Sequence, residues 1–410
     1  MNTGDTAWVL TSTALVLLMT MPGLAFFYGG LVRRKNVLSI LMQCFVILCV
    51  ISLQWVLFGY SLAFGPDFHG IIGKLDWAGL RSVGSLPNTN YAATIPHSLF
   101  MIFQAMFAII TPALIIGAYA ERVKFSAFLL FTLLWTTFVY DPLAHWVWGT
   151  GGWLKTIGAL DFAGGIVVHV SSGISALVLA LLLGKRIGYN HRPIRPHNLP
   201  FTVLGAALLW FGWFGFNAGS ALAADGNAVN AFITTNTATA AAGLTWAMIE
   251  WWHNGTPSIL GVATGVVAGL VAITPACGFV NPMNAIFIGM IVALICYMAV
   301  AVIKAKLGYD DSLDAFGVHG VGGTWGTIAT GIFTEKAVNA AGANGLLFGN
   351  LHQFMIQGLL VLVTIPFAII MTWIIFKIVD AVIGMRVEQN SEIVGLDLTQ
   401  QSEAAYTVIE

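Results

Sequence analysis

Residues 257–303 contain no charged side chain, and this run constrains the chain more than any other feature in it. A helix rises about 1.5 Å per residue, so about 20 apolar residues cross the roughly 30 Å hydrocarbon layer of a bilayer. Backbone in lipid must satisfy its own hydrogen bonds, which turns long apolar runs into helices. Pro275, Gly278 and Pro282 interrupt the run, so it predicts two helices joined by a tight turn. The charge-free stretch 82–120 divides similarly, into an external loop holding Pro87 and Pro96 and then a helix.

Extended along the chain, this reasoning predicts an all-α integral membrane protein with eleven spans. They lie near 7–31, 37–62, 97–119, 126–145, 162–183, 200–218, 227–252, 257–275, 282–303, 314–333 and 349–380. A soluble fold is excluded by charge alone: 9% of residues are charged, against about 25% in ordinary soluble domains. The first apolar run lacks a cationic leader and is too long for a signal h-region, so it reads as a retained span.

Cations set the orientation. Arg33, Arg34, Lys35, Arg122, Lys124, Lys185, Arg186, Arg192, Arg195, Lys304, Lys306, Lys377 and Arg386 fall in one set of loops. Only Lys74, Arg81, Lys155 and Lys336 fall in the other. Cytoplasmic loops carry the excess of Lys and Arg, so the N-terminus is expected outside and the C-terminus in the cytoplasm of a multi-pass cell-membrane protein. The net charge of −1 argues against nucleic-acid binding, which needs clustered cations. Cys44, Cys49, Cys277 and Cys296 form neither a disulfide framework nor a CxxC clip and read as structural thiols.

Small residues four apart, as in Gly261, Gly265 and Gly269, let helices approach closely in lipid. A weak internal repeat accompanies them. His169 is followed by Gly173, and His319 by Gly323, each pair within a Val-His motif. These fall on the fifth and tenth spans, as expected of two inverted five-helix halves plus a C-terminal eleventh helix.

The two histidines are the sharpest chemical signal. An ionisable side chain at membrane depth is costly and usually faces a cavity or pathway; the alternative is two packing histidines, each bonded to a nearby carbonyl. A metal site would need a third ligand, and no Cys, Asp or Glu stands at suitable spacing. Asp161 opens the fifth span, where it can cap orphan amides, attract a cation near the outer mouth, or do both. Trp146, Trp148, Trp153, Trp210, Trp213 and Phe216 gather at outer span ends. Most read as an interfacial belt, while a few could line a vestibule and bind a desolvated cation through their faces.

Six stretches carry a more specific resemblance: AFFYGGLVRRKNVLS near the start, DFAGGIVVHVSSG from Asp161, WFGFNAGSALAADG from Trp213, ITPACGFV from Ile273, DAFGVHGVGGTWGTIATG from Asp314, and the terminal GMRVEQNSEIVGLDLTQQSEAAY. In order and spacing they resemble the ammonium transporters of the Amt/Mep/Rh family, on its Amt branch, over essentially the whole chain. The resemblance implies that Phe107, Trp148 and Ser220 form an outer recruitment site for the ammonium ion. It implies a stacked gate of Phe107 and Phe216 beneath that site, and a conduit lined by His169 and His319 with Trp213 packed against them. Asp161 becomes the structural and electrostatic carboxylate below the recruitment site, with Thr274 and Gln104 as further neighbours.

The resemblance also implies a transporter rather than an enzyme, with no cofactor. It implies a transmembrane domain over 1–383, a cytoplasmic regulatory tail over 384–410, a homotrimer, and a PII-type (GlnK-like) cytoplasmic regulator. Other readings are a membrane sensor with little flux, an Rh-like gas channel, and an intramembrane enzyme, for which no nucleophile–base pair is present.

Overall fold

A computed structural model describes residues 1–189, 191 and 194–406; Arg192 and the last four tail residues lie outside these. The chain is helical almost throughout. Its helices are α1 (Thr3–Leu31), α2 (Arg34–Phe64) and α3 (His97–Tyr119), then α4, built from Phe125–Trp135, Thr136–Tyr140 and Asp141–Trp148. They continue with α5 (Gly165–Leu183), α6 (Leu199–Gly219), α7 (Gly226–Asn254), α8 (Ile259–Ile273) and α9 (Pro282–Leu307). The last are α10 (Phe316–Gly320 and Val321–Phe333) and α11 (Leu351–Val382).

Among the described residues, eight helices are long and apolar enough to cross a membrane. The others, α7, α8 and α10, coincide with the expected spans near 227–252, 257–275 and 314–333. They are less apolar or shorter because α7 is rich in Thr, Asn and Ala, α8 has 15 residues, and α10 is rich in glycine. The predicted break at Pro275–Pro282 separates α8 from α9. α4 runs on to Trp148 instead of ending at 145, because the polar His145 is buried with partners on both ring nitrogens.

Exposed residues on the outer helix faces are largely apolar, including Leu53, Leu57, Leu244, Leu362 and Val382, as a lipid-facing surface requires. The small-residue pattern works as a packing device. A Cβ on Gly265 would lie 2.6 Å from that of Trp246, and one on Gly269 2.7 Å from that of Ala242. Side chains there would force α8 off α7.

The loop between α2 and α3 holds a short hairpin, with Asp67 opposite Gly73 and Phe68 opposite Ile72. At the other end of the bundle the cationic loops are tied together. Arg186 forms ion pairs with Asp310 at 2.8 Å and Glu121 at 3.0 Å, and Arg33 pairs with Glu121 at 2.9 Å. Burial raises the Glu121 carboxyl, but Arg186 and Arg33 outweigh it and hold it below the usual range. Burial also raises Asp310, and the Arg186 hydrogen bonds again bring it down.

The segment after α11 folds back onto this same end. Lys124 N donates to Met385 O at 3.0 Å, and Val387 N to Arg122 O at 3.1 Å. The Glu392 carboxylate accepts from Ile187 N at 2.6 Å and Arg386 Nη2 at 2.8 Å. The Asp397 carboxylate accepts from Ser39 N at 2.8 Å.

Candidate functional site

Two cavities approach each other through the bundle. The one beside the α2–α3 hairpin loop encloses about 230 Å³ and is lined by Phe100, Gln104, Phe107, Trp148, Asp161 and Ser220 among others. The one on the cationic side encloses about 620 Å³, with Tyr28, Leu31, Val267, Lys304, Asp314 and His319 in its wall. Between them lies a column of rings.

Phe107 of α3 lines the smaller cavity and stacks on Phe216 of α6, their centroids 4.3 Å apart and their planes 28° apart. Trp148 meets Phe107 edge-on at 6.0 Å. Its indole N–H donates to Asp161 O at 2.8 Å, which holds the ring upright. The Ser220 hydroxyl donates to Phe216 O at 2.8 Å, so its oxygen keeps lone pairs for an incoming donor. Gln104 Oε1 is buried in the same region without a hydrogen-bond donor.

Below the phenyl pair, His169 stacks on Trp213 at 5.4 Å and on His319 at 5.3 Å. Trp213 is fixed by donating from Nε1 to Thr274 Oγ1 at 2.9 Å. Both ring nitrogens of His169, and Nδ1 of His319, are buried with no protein partner. Buried polar atoms without partners are rare and costly. The packing alternative, with each histidine bonded to a neighbouring carbonyl, does not hold for His169.

The backbone explains how two separate helices present these rings. Each histidine sits in a π-helical turn, Gly165–Val170 or Phe316–Gly320. His169 N reaches back five residues to Gly164 O at 3.0 Å. Such turns add a residue to the helical period and swing a side chain out of register. α5 and α10 cross at the repeated glycines: a Cβ on Gly173 would lie 2.0 Å from Gly320 N, and one on Gly323 2.9 Å from that of His169. Each half's glycine accommodates the other half's histidine turn.

Asp161 caps α5 completely. Oδ1 accepts from Gly164 N and Gly165 N at 2.8 and 2.6 Å, and Oδ2 from Ile166 N and Val167 N at 2.9 and 3.2 Å. The sequence reading missed its counterpart. Asp311 accepts from Ala315 N at 3.1 Å and Phe316 N at 2.8 Å, capping α10 at the opposite mouth. It stands eight residues before its histidine (319 − 311), as Asp161 does (169 − 161). Gln357 was missed too: it accepts from Leu160 N at 3.0 Å and donates to Leu160 O at 2.7 Å, clamping the turn before Asp161.

The fold thus brings Phe107, Trp148, Ser220, Phe216, Trp213, His169, His319 and Asp161 onto one path, with Thr274 and Gln104 beside it. Of the six aromatics that the sequence gathers at outer span ends, Trp213 and Phe216 are buried in this column.

The Ammonium Transporter Family model matches residues 7–406. The ammonium transporter of Bacillus subtilis is 54% identical over 406 residues, covering 99% of both chains. The crystal structure of Saccharomyces cerevisiae Mep2 superposes with a TM-score of 0.89 at 37% identity, covering 95% of this chain and 88% of that one. A solved Sensor Amt Protein gives 0.89 at 31% identity, covering 97% and 98%. This chain belongs to the ammonium transporter family.

Proposed function

We propose that this ammonium transporter recruits the ion at the smaller cavity, transfers its proton near the phenyl pair to cavity water or to the His169 imidazole, and passes ammonia along the histidine column. The observation that supports this best is the pair of stacked, buried imidazoles whose nitrogens have no protein partner, lying between two cavities. Moving a bare monovalent cation into low dielectric costs on the order of 20 kcal/mol by a Born estimate. An aromatic face returns about 2 kcal/mol, and one hydroxyl about as little, so the intact ion cannot pass the phenyl pair. Losing the proton removes most of the penalty.

The roles follow from the chemistry of the groups. Phe107 and Trp148 offer π faces to the cation, and the Ser220 oxygen accepts one of its N–H bonds. Phe107 and Phe216 close the path until their rings turn. A neutral imidazole carries one donor and one acceptor, so His169 and His319 can hold ammonia and hand a proton between them. Trp213 and Thr274 keep the first ring aligned, and Asp161 fixes the helix turn that presents it. Potassium donates no hydrogen bond and has no proton to lose, so the path discriminates by chemistry more than by radius.

The proposal includes eleven membrane crossings over residues 1–383 in the cell membrane, with the N-terminus outside and the cationic face in the cytoplasm. It further includes a homotrimer with one path per subunit, and a regulatory tail over 384–410 that a PII-type (GlnK-like) protein engages together with the loops beneath it. A sensing role is the second reading, because the solved Sensor Amt Protein shares this fold to the same degree.

Ammonium flux into vesicles containing the purified protein tests the reading, with potassium as control and His169→Ala and His319→Ala alongside. Selective flux that falls at least about tenfold in either variant is expected. Full flux in His169→Ala would exclude an obligatory relay through the pair, and no flux in the parent protein would leave the sensor.

A further inference from the structure

Lys155 stands at the rim of the smaller cavity, on the short helix Trp153–Thr156 between Trp148 and Asp161. Its side chain is solvent-exposed, yet it folds inward. Nζ donates to Trp148 O at 2.9 Å and stands 5.6 Å above the centroid of the Tyr91 ring. Both partners line the cavity. The Tyr91 ring is held for this contact: it stacks on Phe100 at 4.9 Å, its hydroxyl donates to Phe64 O at 2.6 Å, and it accepts from Thr150 N at 3.0 Å.

The Lys155 charge is not cancelled locally. Among the described residues no carboxylate lies within ion-pair distance of Nζ. The one carboxylate in the cavity wall, Asp161, already accepts four backbone amides. A lysine ammonium is an ammonium ion with one hydrogen replaced by carbon, and a carbonyl oxygen with an aromatic face is the environment a partly desolvated ammonium needs.

We propose that Lys155 is a tethered competitor: its ammonium group occupies a cation subsite formed by Trp148 O and the Tyr91 face, and thereby sets the transporter's affinity for ammonium. The inference rests on the reading of this cavity as the recruitment site. The tether keeps the local cation concentration high, and an arriving ion meets both a filled subsite and a like charge. A unit charge one cavity width away in a water-like dielectric changes the occupancy of a second cation by about two- to fivefold.

The test is the concentration dependence of ammonium flux in reconstituted vesicles for Lys155→Met, Lys155→Arg and Trp148→Leu. Lys155→Met keeps the stem and removes the charge. It is expected to lower the KM for ammonium about two- to fivefold at about 10 mM salt, with maximal flux unchanged. The difference should shrink near 1 M salt, where the screening length falls from about 30 to about 3 Å, leaving only the part that comes from direct occupation of the subsite. Lys155→Arg should keep the parent KM. A lysine that merely braced Trp148 would act with the opposite sign, since Lys155→Met would raise KM at every salt concentration. An unchanged or raised KM in Lys155→Met, with KM raised in Trp148→Leu, overturns the tethered competitor and leaves the recruitment site standing. No change in either variant overturns both.

Discussion

Gly173→Ala is among the most demanding single changes for this fold, because one methyl group must enter the crossing of α5 and α10. Its Cβ would stand 2.0 Å from Gly320 N, 2.4 Å from Gly320 Cα and 2.7 Å from His319 C. Carbon makes favourable contact at about 3.5–4.0 Å, so the helices must separate by about 1.5 Å at this point. The obstructing atoms are backbone and cannot rotate away. Overpacking of this kind costs about 1–3 kcal/mol where side chains can yield, and here the upper end is the expected minimum. The same displacement moves the His319 turn away from His169, whose ring it now meets at 5.3 Å. Misplacing reacting groups by about 1 Å costs up to about 100-fold in rate, so flux should fall at least about tenfold.

Two further glycines calibrate the result. A Cβ on Gly323 would lie 2.9 Å from that of His169 and 3.1 Å from Gly165 O, so Gly323→Ala should be impaired less than Gly173→Ala. Gly358, inside α11, has nothing within 4 Å of an added Cβ. Gly358→Ala should be neutral, or stabilising by up to about 1 kcal/mol through helix propensity. Thermal unfolding in detergent and ammonium flux in vesicles give the two rankings. Parent-like flux and unfolding temperature in Gly173→Ala, or an equal loss in Gly358→Ala, would refute the packing argument.

Three other outcomes follow from the geometry. Arg186→Met removes the guanidinium that bridges Glu121 and Asp310, leaving Glu121 to Arg33 and Asp310 to Arg122 at 3.9 Å; breaking a buried pair costs about 3–5 kcal/mol, and the unfolding temperature should drop, by the lower end of that range where the remaining arginines compensate. These two carboxyls are held below their ordinary values, so their stabilisation is complete above the unfolded pKa values near about 4 and is lost as pH falls through the depressed folded values. An unfolding temperature that stays flat from about pH 6 to pH 3 would contradict this. Thr274→Val removes the acceptor of the Trp213 indole, a loss of about 1–3 kcal/mol; flux should fall in Thr274→Val and be retained in Thr274→Ser.

Much of this architecture was legible because a bilayer imposes a length. About 20 apolar residues per crossing is a geometric requirement, and the runs of this chain meet it nearly everywhere. Legibility failed where the physics is not periodic in hydropathy. The π turns that aim His169 and His319 leave no such trace, since they depend on hydrogen bonds made five residues back. Gln357 was visible as a polar residue in the apolar run of α11, but its target, the Leu160 backbone, lies 197 residues away in sequence. That the tail contacts neighbouring loops was expected from its GMRV and GLDL motifs, but the particular contacts escaped for the same reason: Asp397 meets Ser39 and Glu392 meets Ile187 through single hydrogen bonds across the fold. Asp311 could have been found, because its spacing from His319 repeats that of Asp161 from His169.

That pair of aspartates bears on how a cation could reach either end of the path. α5 and α10 begin at opposite mouths, and each helix start carries a partial positive charge of about half an elementary unit. Uncapped, both would repel the ion the mouths have to admit. A carboxylate over the exposed amides reverses the sign while fixing the turn that holds the histidine. On the proposed mechanism the structural and electrostatic roles of Asp161 are therefore one arrangement, and Asp311 repeats it at the start of α10. At the cationic mouth the balance differs, because Lys304 pairs with Asp314 at 2.6 Å beside the second cap. In the wall of the other cavity the cation is Lys155, held by Trp148 O and, among the described residues, without a carboxylate partner. On the proposed mechanism the two ends are symmetric in how they orient the histidines and asymmetric in how they meet a cation, and that asymmetry is where affinity can be adjusted without disturbing the column between them.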